Sequence, residues 1–159
     1  MDWYVAHTRP RCEKKLARYC EREGLAVTLP CYRSVKKYRG KTVVFNKPLF
    51  PNYLFLELLP HQRQKVFQND YVANLLDVKD QALFRQQLGD ILLALDSELE
   101  VRLAPHITEG TKVRIKSGPL RGLEGCVQQR VGTVWVLLRL DFISQAAAVK
   151  IEADDVELI

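Results

Sequence analysis

The sequence predicts an α+β chain of two domains: an antiparallel sheet covered by helices over 1–96, then a small SH3-like β-barrel over 107–159. Three observations carry this. Up to Leu95 the apolar residues switch between two-residue and 3.6-residue spacing, whereas beyond Thr111 only strand-like alternation remains. Residues 97–106 have no clear period and contain Pro105, as a linker does. Charge divides at the same place: residues 1–96 hold 16 Lys+Arg against 10 Asp+Glu, and residues 97–159 hold 8 against 9.

DWYVAH, 2–7, alternates Trp3, Val5 and His7 against Tyr4 and Ala6, which predicts a strand. Thr8 then caps a helix, with Pro10 tolerated in its first turn and Gly24 ending it after Glu23. At about 100° per residue, Cys12, Leu16, Tyr19 and Cys20 share its buried side. Arg11, Lys15, Arg18 and Arg22 form a separate narrow row. Cations stacked in this way repel one another unless an anion lies opposite.

LAVTL, 25–29, opens a strand that Pro30 interrupts and CYRSVKKY, 31–38, continues. Arg39-Gly40 turns it into KTVVFN, 41–46. The hairpin tip is basic, with Lys36, Lys37, Arg39 and Lys41 around Tyr38. That suits a nucleic-acid strand, and it equally suits ordinary solubility. KPLFPNYLFLEL, 47–58, is the central strand, approached through Pro48 and Pro51. Leu54, Leu56 and Leu58 fall on one face; Tyr53, Phe55 and Glu57 fall on the other. PHQRQKVFQ, 60–68, reads as a short helix and YVANLLDV, 71–78, as a strand. Residues 79–95 form a helix whose apolar face is Leu83, Phe84, Leu88, Ile91, Leu92 and Leu95, with Gly89 marking close packing.

The order is thus β-α-β-β-β-α-β-α, and both main helices are expected over the Leu54, Leu56 and Leu58 face. Tyr53 and Phe55 then lie on an uncovered face, which is either ordinary sheet packing or a platform for a partner. After the linker come about five short strands, with turns at SGPLRG and at Val131-Gly132.

The first 47 residues hold 12 Lys+Arg against 4 Asp+Glu, which suits a polyanionic partner as well as a solvated basic surface. No apolar run reaches the roughly 18–20 residues of a membrane span, and the N-terminus has no signal-peptide core, so a cytoplasmic protein is expected. Cys12, Cys20, Cys31 and Cys126 lack paired spacing, so buried thiols are expected and no metal. His7, His61 and His106 fall in no triad or metal motif, and no phosphate loop is present. The chain is therefore not expected to be an enzyme or to carry a cofactor.

TKVRIKSGPLRGLEGCV, 111–127, resembles a KOW motif, with Gly122 and Gly125 at tight barrel corners. Preceded by Trp3-Tyr4 and by PLFPNYLF at 48–55, it resembles the NusG family of transcription elongation factors over nearly the whole chain. PLFPNYLF is closer to the RfaH-type specialised paralogues. The resemblance implies an NGN domain over 1–96 and a KOW domain over 107–159. It implies a non-enzymatic, monomeric factor that suppresses pausing or termination, with no membrane partner. Tyr4, His7, Phe50, Tyr53 and Phe55 would meet the clamp helices of the RNA polymerase β′ subunit. His7 stands where RfaH-like chains often carry an aromatic, which makes that depression more polar. His61, Gln62 and Arg63 would reach the opposite pincer. Arg9, Arg11, Lys15, Arg18 and Arg22 would hold the non-template DNA strand or nascent RNA. Leu120, Leu123, Phe142 and Ile143 would dock a small-subunit ribosomal protein or Rho, or else pack the end of the barrel. RfaH itself can refold its KOW domain; the β-branched run around TVWV does not favour helix, and no fold switch is expected here. The alternative is a ribosome-associated or RNA-hairpin-binding KOW protein using the same basic surface.

Overall fold

The computed structural model describes residues 1–108, 110–130 and 133–159, and nothing is said of the side chains of Gln129, Arg130 and Thr133. The turn expected at Val131-Gly132 lies outside the described residues. The chain divides into two compact units, Met1–Gln81 and Ala82–Ile159.

The first unit runs β1 (Asp2–Thr8), α1 (Glu13–Arg22), β2 (Ala26–Thr28), β3 (Cys31–Tyr38), β4 (Lys41–Pro48), β5 (Tyr53–Leu58), α2 (Arg63–Val66) and β6 (Val72–Asp77). Its antiparallel sheet has the order β2-β5-β1-β6, so the YLFLEL strand is indeed internal. Leu54, Leu56 and Leu58 are fully buried with Tyr4 and Ala6 of β1, Leu16, Ala17 and Cys20 of α1, and Val66 of α2. Each such leucine contributes about 1.5–3 kcal/mol by leaving water.

Three local expectations are corrected. Thr8 does not cap α1: it is the buried last residue of β1, with its N–H on the Asn52 carbonyl at 2.8 Å. The helix starts only at Glu13, because Arg11 takes a left-handed φ of 60° that no helix continues through. Its end follows the expectation. Gly24, at φ 73°, sends its N–H to the Glu21 carbonyl while Leu25 reaches Cys20, closing a Schellman motif. The second correction concerns Pro30. It separates strands of different sheets: β2 joins β5, whereas β3 leaves to pair with β4 alone. The third concerns the buried stripe of α1, which is Glu13, Leu16, Ala17 and Cys20, with Cys12 and Tyr19 half-buried.

The second unit holds most of α3 (Gln81–Asp96), then β7 (Val101–Ala104), β8 (Lys112–Ile115), β9 (Glu124–Arg130), β10 (Thr133–Leu140), β11 (Gln145–Ile151) and β12 (Val156–Leu158). Strands form one antiparallel sheet in the order β12-β8-β9-β10-β11-β7. The five expected strands are present. A sixth, β7, lies inside the stretch expected to be a linker and pairs with β11 from Val101↔Val149 to Ala104↔Ala146. Pro105 is tolerated because β7 is the sheet's edge. Helix α3 is likewise not part of the leucine-face core as expected; it buries Phe84, Leu88, Ile91 and Ala94. Open space surrounds Gly89, so close packing does not explain that glycine. Gly122 does need its positive φ of 94°, but Gly125 acts by proximity, since a Cβ there would strike the Leu137 carbonyl and the Val136 side chain.

No described helix is long and apolar enough to cross a membrane.

Candidate functional site

The FPNY turn between β4 and β5 is pinned from two sides. Asn52, at φ 70°, accepts the Thr8 N–H and donates its own N–H to Glu13 Oε2 at 3.2 Å. This joins the end of β1, the start of β5 and the first turn of α1. The β1–β5 register sets His7 opposite Tyr53, and their rings lie 5.3 Å apart. His7 is exposed and Tyr53 half-buried, so this pair is the accessible part of the aromatic face.

Phe50, expected to meet the clamp helices, and Phe55, expected on an open face, are 1% and 0% exposed and pack edge-to-face at 6.2 Å. Val5 stands opposite Phe55 and Trp3 opposite Glu57, and both are buried, so this side of the sheet is a second apolar layer. Tyr4, expected beside His7, points to the other face with Leu54 and Leu56, as strand alternation requires. There the Arg63 guanidinium sits 5.1 Å from its ring centre and 2.8 Å from Asp77. Gln62 is occupied too, accepting the Leu59 N–H at 2.8 Å, while His61 is exposed. The sequence-derived set thus separates into an accessible His7–Tyr53 patch, a buried Phe50–Phe55 pair and a Tyr4–Arg63 stack on the far face.

The basic row is partly reassembled. Lys15, Arg18 and Arg22 line a shallow depression of about 410 Å³ with Glu21 and Tyr71. Arg11 sits in the turn before the helix, outside its helical row, and Arg9 is exposed with its N–H on the Tyr71 carbonyl at 2.9 Å. Tyr71 was not legible as a member, because only the β1–β6 pairing brings it to α1.

In the second unit, Leu120 is 2% exposed, so it serves packing and not docking. Leu123 and Ile143 are half-buried. Phe142 is 36% exposed and meets Phe84 edge-to-face at 6.2 Å. The Asp141 N–H donates to Gln87 Oε1 at 2.9 Å, fixing that turn against α3.

All four cysteines are free thiols. Burial, then the Glu21 charge, pushes Cys20 up to about 11. Burial also raises Cys31, partly offset by Lys14. A raised thiol pKa stabilises the folded state below the unfolded value, and that contribution is lost as pH climbs toward 11. Ellman's reagent at pH 8 is therefore expected to leave Cys20 unmodified until denaturant is added; rapid reaction in the native chain would contradict this burial. Among the described residues no group of three or more His, Cys, Asp and Glu could hold a metal ion.

A family model described as "Transcription termination factor nusG" matches residues 1–85. Curated relatives named "Transcription termination/antitermination protein NusG", from Staphylococcus aureus strains Newman and COL, are each 27% identical over 181 aligned positions, covering 98% of this chain and 94% of theirs.

Proposed function

The chain belongs to the NusG family of transcription termination and antitermination factors, and from this premise we propose that it binds RNA polymerase through its N-terminal unit and suppresses pausing or termination. The observation that carries the reading is the family match over 1–85, which spans the whole sheet bearing His7 and Tyr53. In this reading the His7–Tyr53 patch docks on the β′ clamp helices, with Phe50 and Phe55 holding it from within. His61 contacts the opposite pincer. The Lys15, Arg18 and Arg22 depression takes the non-template DNA strand or nascent RNA, since clustered cations bind phosphates by releasing counterions. Residues 107–159 form a KOW domain of SH3-like barrel type, offering Leu123, Phe142 and Ile143 to a small-subunit ribosomal protein or to Rho. The PLFPNYLF wording supports an RfaH-type specialised role.

The test adds the purified chain to a paused elongation complex. Faster pause escape together with stable polymerase binding is expected. Absence of both, with co-sedimentation on ribosomes that needs α1, would instead favour the ribosome-associated alternative.

A further inference from the structure

The β3–β4 hairpin is unused by the function proposed above. Among the described residues it pairs with no other strand, and the Arg39-Gly40 turn closes it with φ of 46° and 78°, the two left-handed residues of a type I′ turn. Its register sorts sixteen side chains onto two faces. One face carries Tyr32 opposite Lys47, Ser34 opposite Phe45, Lys36 opposite Val43 and Tyr38 opposite Lys41. These pairs follow one another at about 6.8 Å, twice the rise per strand residue. Three aromatic rings therefore alternate with three lysines along one strip. Tyr38 is 53% and Phe45 40% exposed, while Tyr32 at the base of the strip is half-buried; on the opposite face the aliphatic Val35 and Val44 are exposed. The opposite face carries Cys31, Arg33, Val35, Lys37, Thr42, Val44, Asn46 and Pro48, with no aromatic residue.

The charge of the hairpin is of one sign. No Asp or Glu occurs from Gly24 to Leu56. Lys36 and Lys47 share the aromatic face, and the Lys36 ammonium holds Lys47 below the ordinary lysine range. With no acid in this stretch, the Lys36, Lys41 and Lys47 ammonium groups favour a bound anion. Phosphate oxygens supply the anion, and unpaired bases supply flat faces for the rings; a duplex keeps its base faces stacked inside.

We propose that the Tyr32, Lys36, Tyr38, Lys41, Phe45 and Lys47 face of the hairpin is a binding strip for single-stranded nucleic acid, separate from the α1 depression and indifferent to the sugar. Bases stack on the rings while lysines track the backbone. The strip needs no polymerase, and its test contains none.

The assay is fluorescence anisotropy of labelled oligothymidylate, oligouridylate and a duplex of equal length, using the full chain with Lys15, Arg18 and Arg22 changed to Gln to silence the helix row. Both single strands are expected to bind, and more tightly than the duplex. Phe45→Leu, which keeps apolar bulk, is expected to weaken binding about tenfold, whereas Phe45→Trp, which keeps a stacking face, retains it. Lys36→Gln should lower the salt slope by about 0.7, and Lys37→Gln on the far face should leave it unchanged. Duplex binding as tight as single-strand binding, equal loss from Lys36→Gln and Lys37→Gln, or full binding by Phe45→Leu would each overturn the proposal. So would tighter capture of oligoglutamate, which would assign the face to an acidic protein.

Discussion

Phe55→Ala is expected to destabilise the N-terminal unit strongly, and not to act by removing a contact with a partner. The side chain is 0% exposed, stands opposite Val5 in the β1–β5 register and packs edge-to-face on Phe50. Truncating a buried phenylalanine costs about 3–5 kcal/mol, from lost transfer energy and the cavity left behind. Domains of this size are stable by only about 5–15 kcal/mol, so the change removes a large share. Tyr53→Ala is the informative partner experiment. Tyr53 is half-buried and its ring meets the exposed His7, so its loss should move the urea midpoint little while abolishing polymerase capture. Urea titration by circular dichroism beside a polymerase pull-down separates these outcomes. A Phe55→Ala chain as stable as the parent, or a Tyr53→Ala chain that still binds fully, would contradict the assignment.

Reversing the helix row, Lys15→Glu with Arg18→Glu and Arg22→Glu, is the second large effect. All three side chains are exposed, so the fold should tolerate the change with a shift within about 0.5 kcal/mol per site. Nucleic-acid binding should not tolerate it. If each cation neutralises one phosphate, the dependence of log affinity on log salt should lose about 2–3 from its slope. Affinity measured across a salt series reads this directly. An unchanged slope would mean that the depression beside Tyr71 meets no phosphate and that the row is only a solvated face.

Much of this architecture is legible from residue order alone. The alternation in YLFLEL, the helical spacing of Leu16 and Cys20, and the Arg39-Gly40 turn each reflect local stereochemistry, and local stereochemistry is written in consecutive residues. The misreadings share another cause. Alternation assigned Tyr53 and Phe55 to the same face but could not tell that Trp3 and Val5, some fifty positions away, make that face an apolar layer. Family likeness places Tyr4 with His7, although the strand period separates them. VRLA at 101–104 is too short to show a period, and its pairing with β11 is non-local. Thr8 has the chemistry of a cap, yet a backbone bond to Asn52 holds it in the sheet. The cationic row was readable on the helix, but its aromatic wall, Tyr71, was not.

The order β2-β5-β1-β6 also has a consequence for synthesis on the ribosome. Within this sheet β1 precedes both of its neighbours in the chain: β5 ends at Leu58 and β6 at Asp77. Until residue 77 has emerged, β1 cannot complete its ladders, and its apolar run from Trp3 to Ala6 lacks a finished shelter. The hairpin, by contrast, is complete at Pro48 and pairs only with itself, at the low sequence separation that allows fast formation. Both strands of the basic hairpin are thus available to each other while β1 still lacks β6.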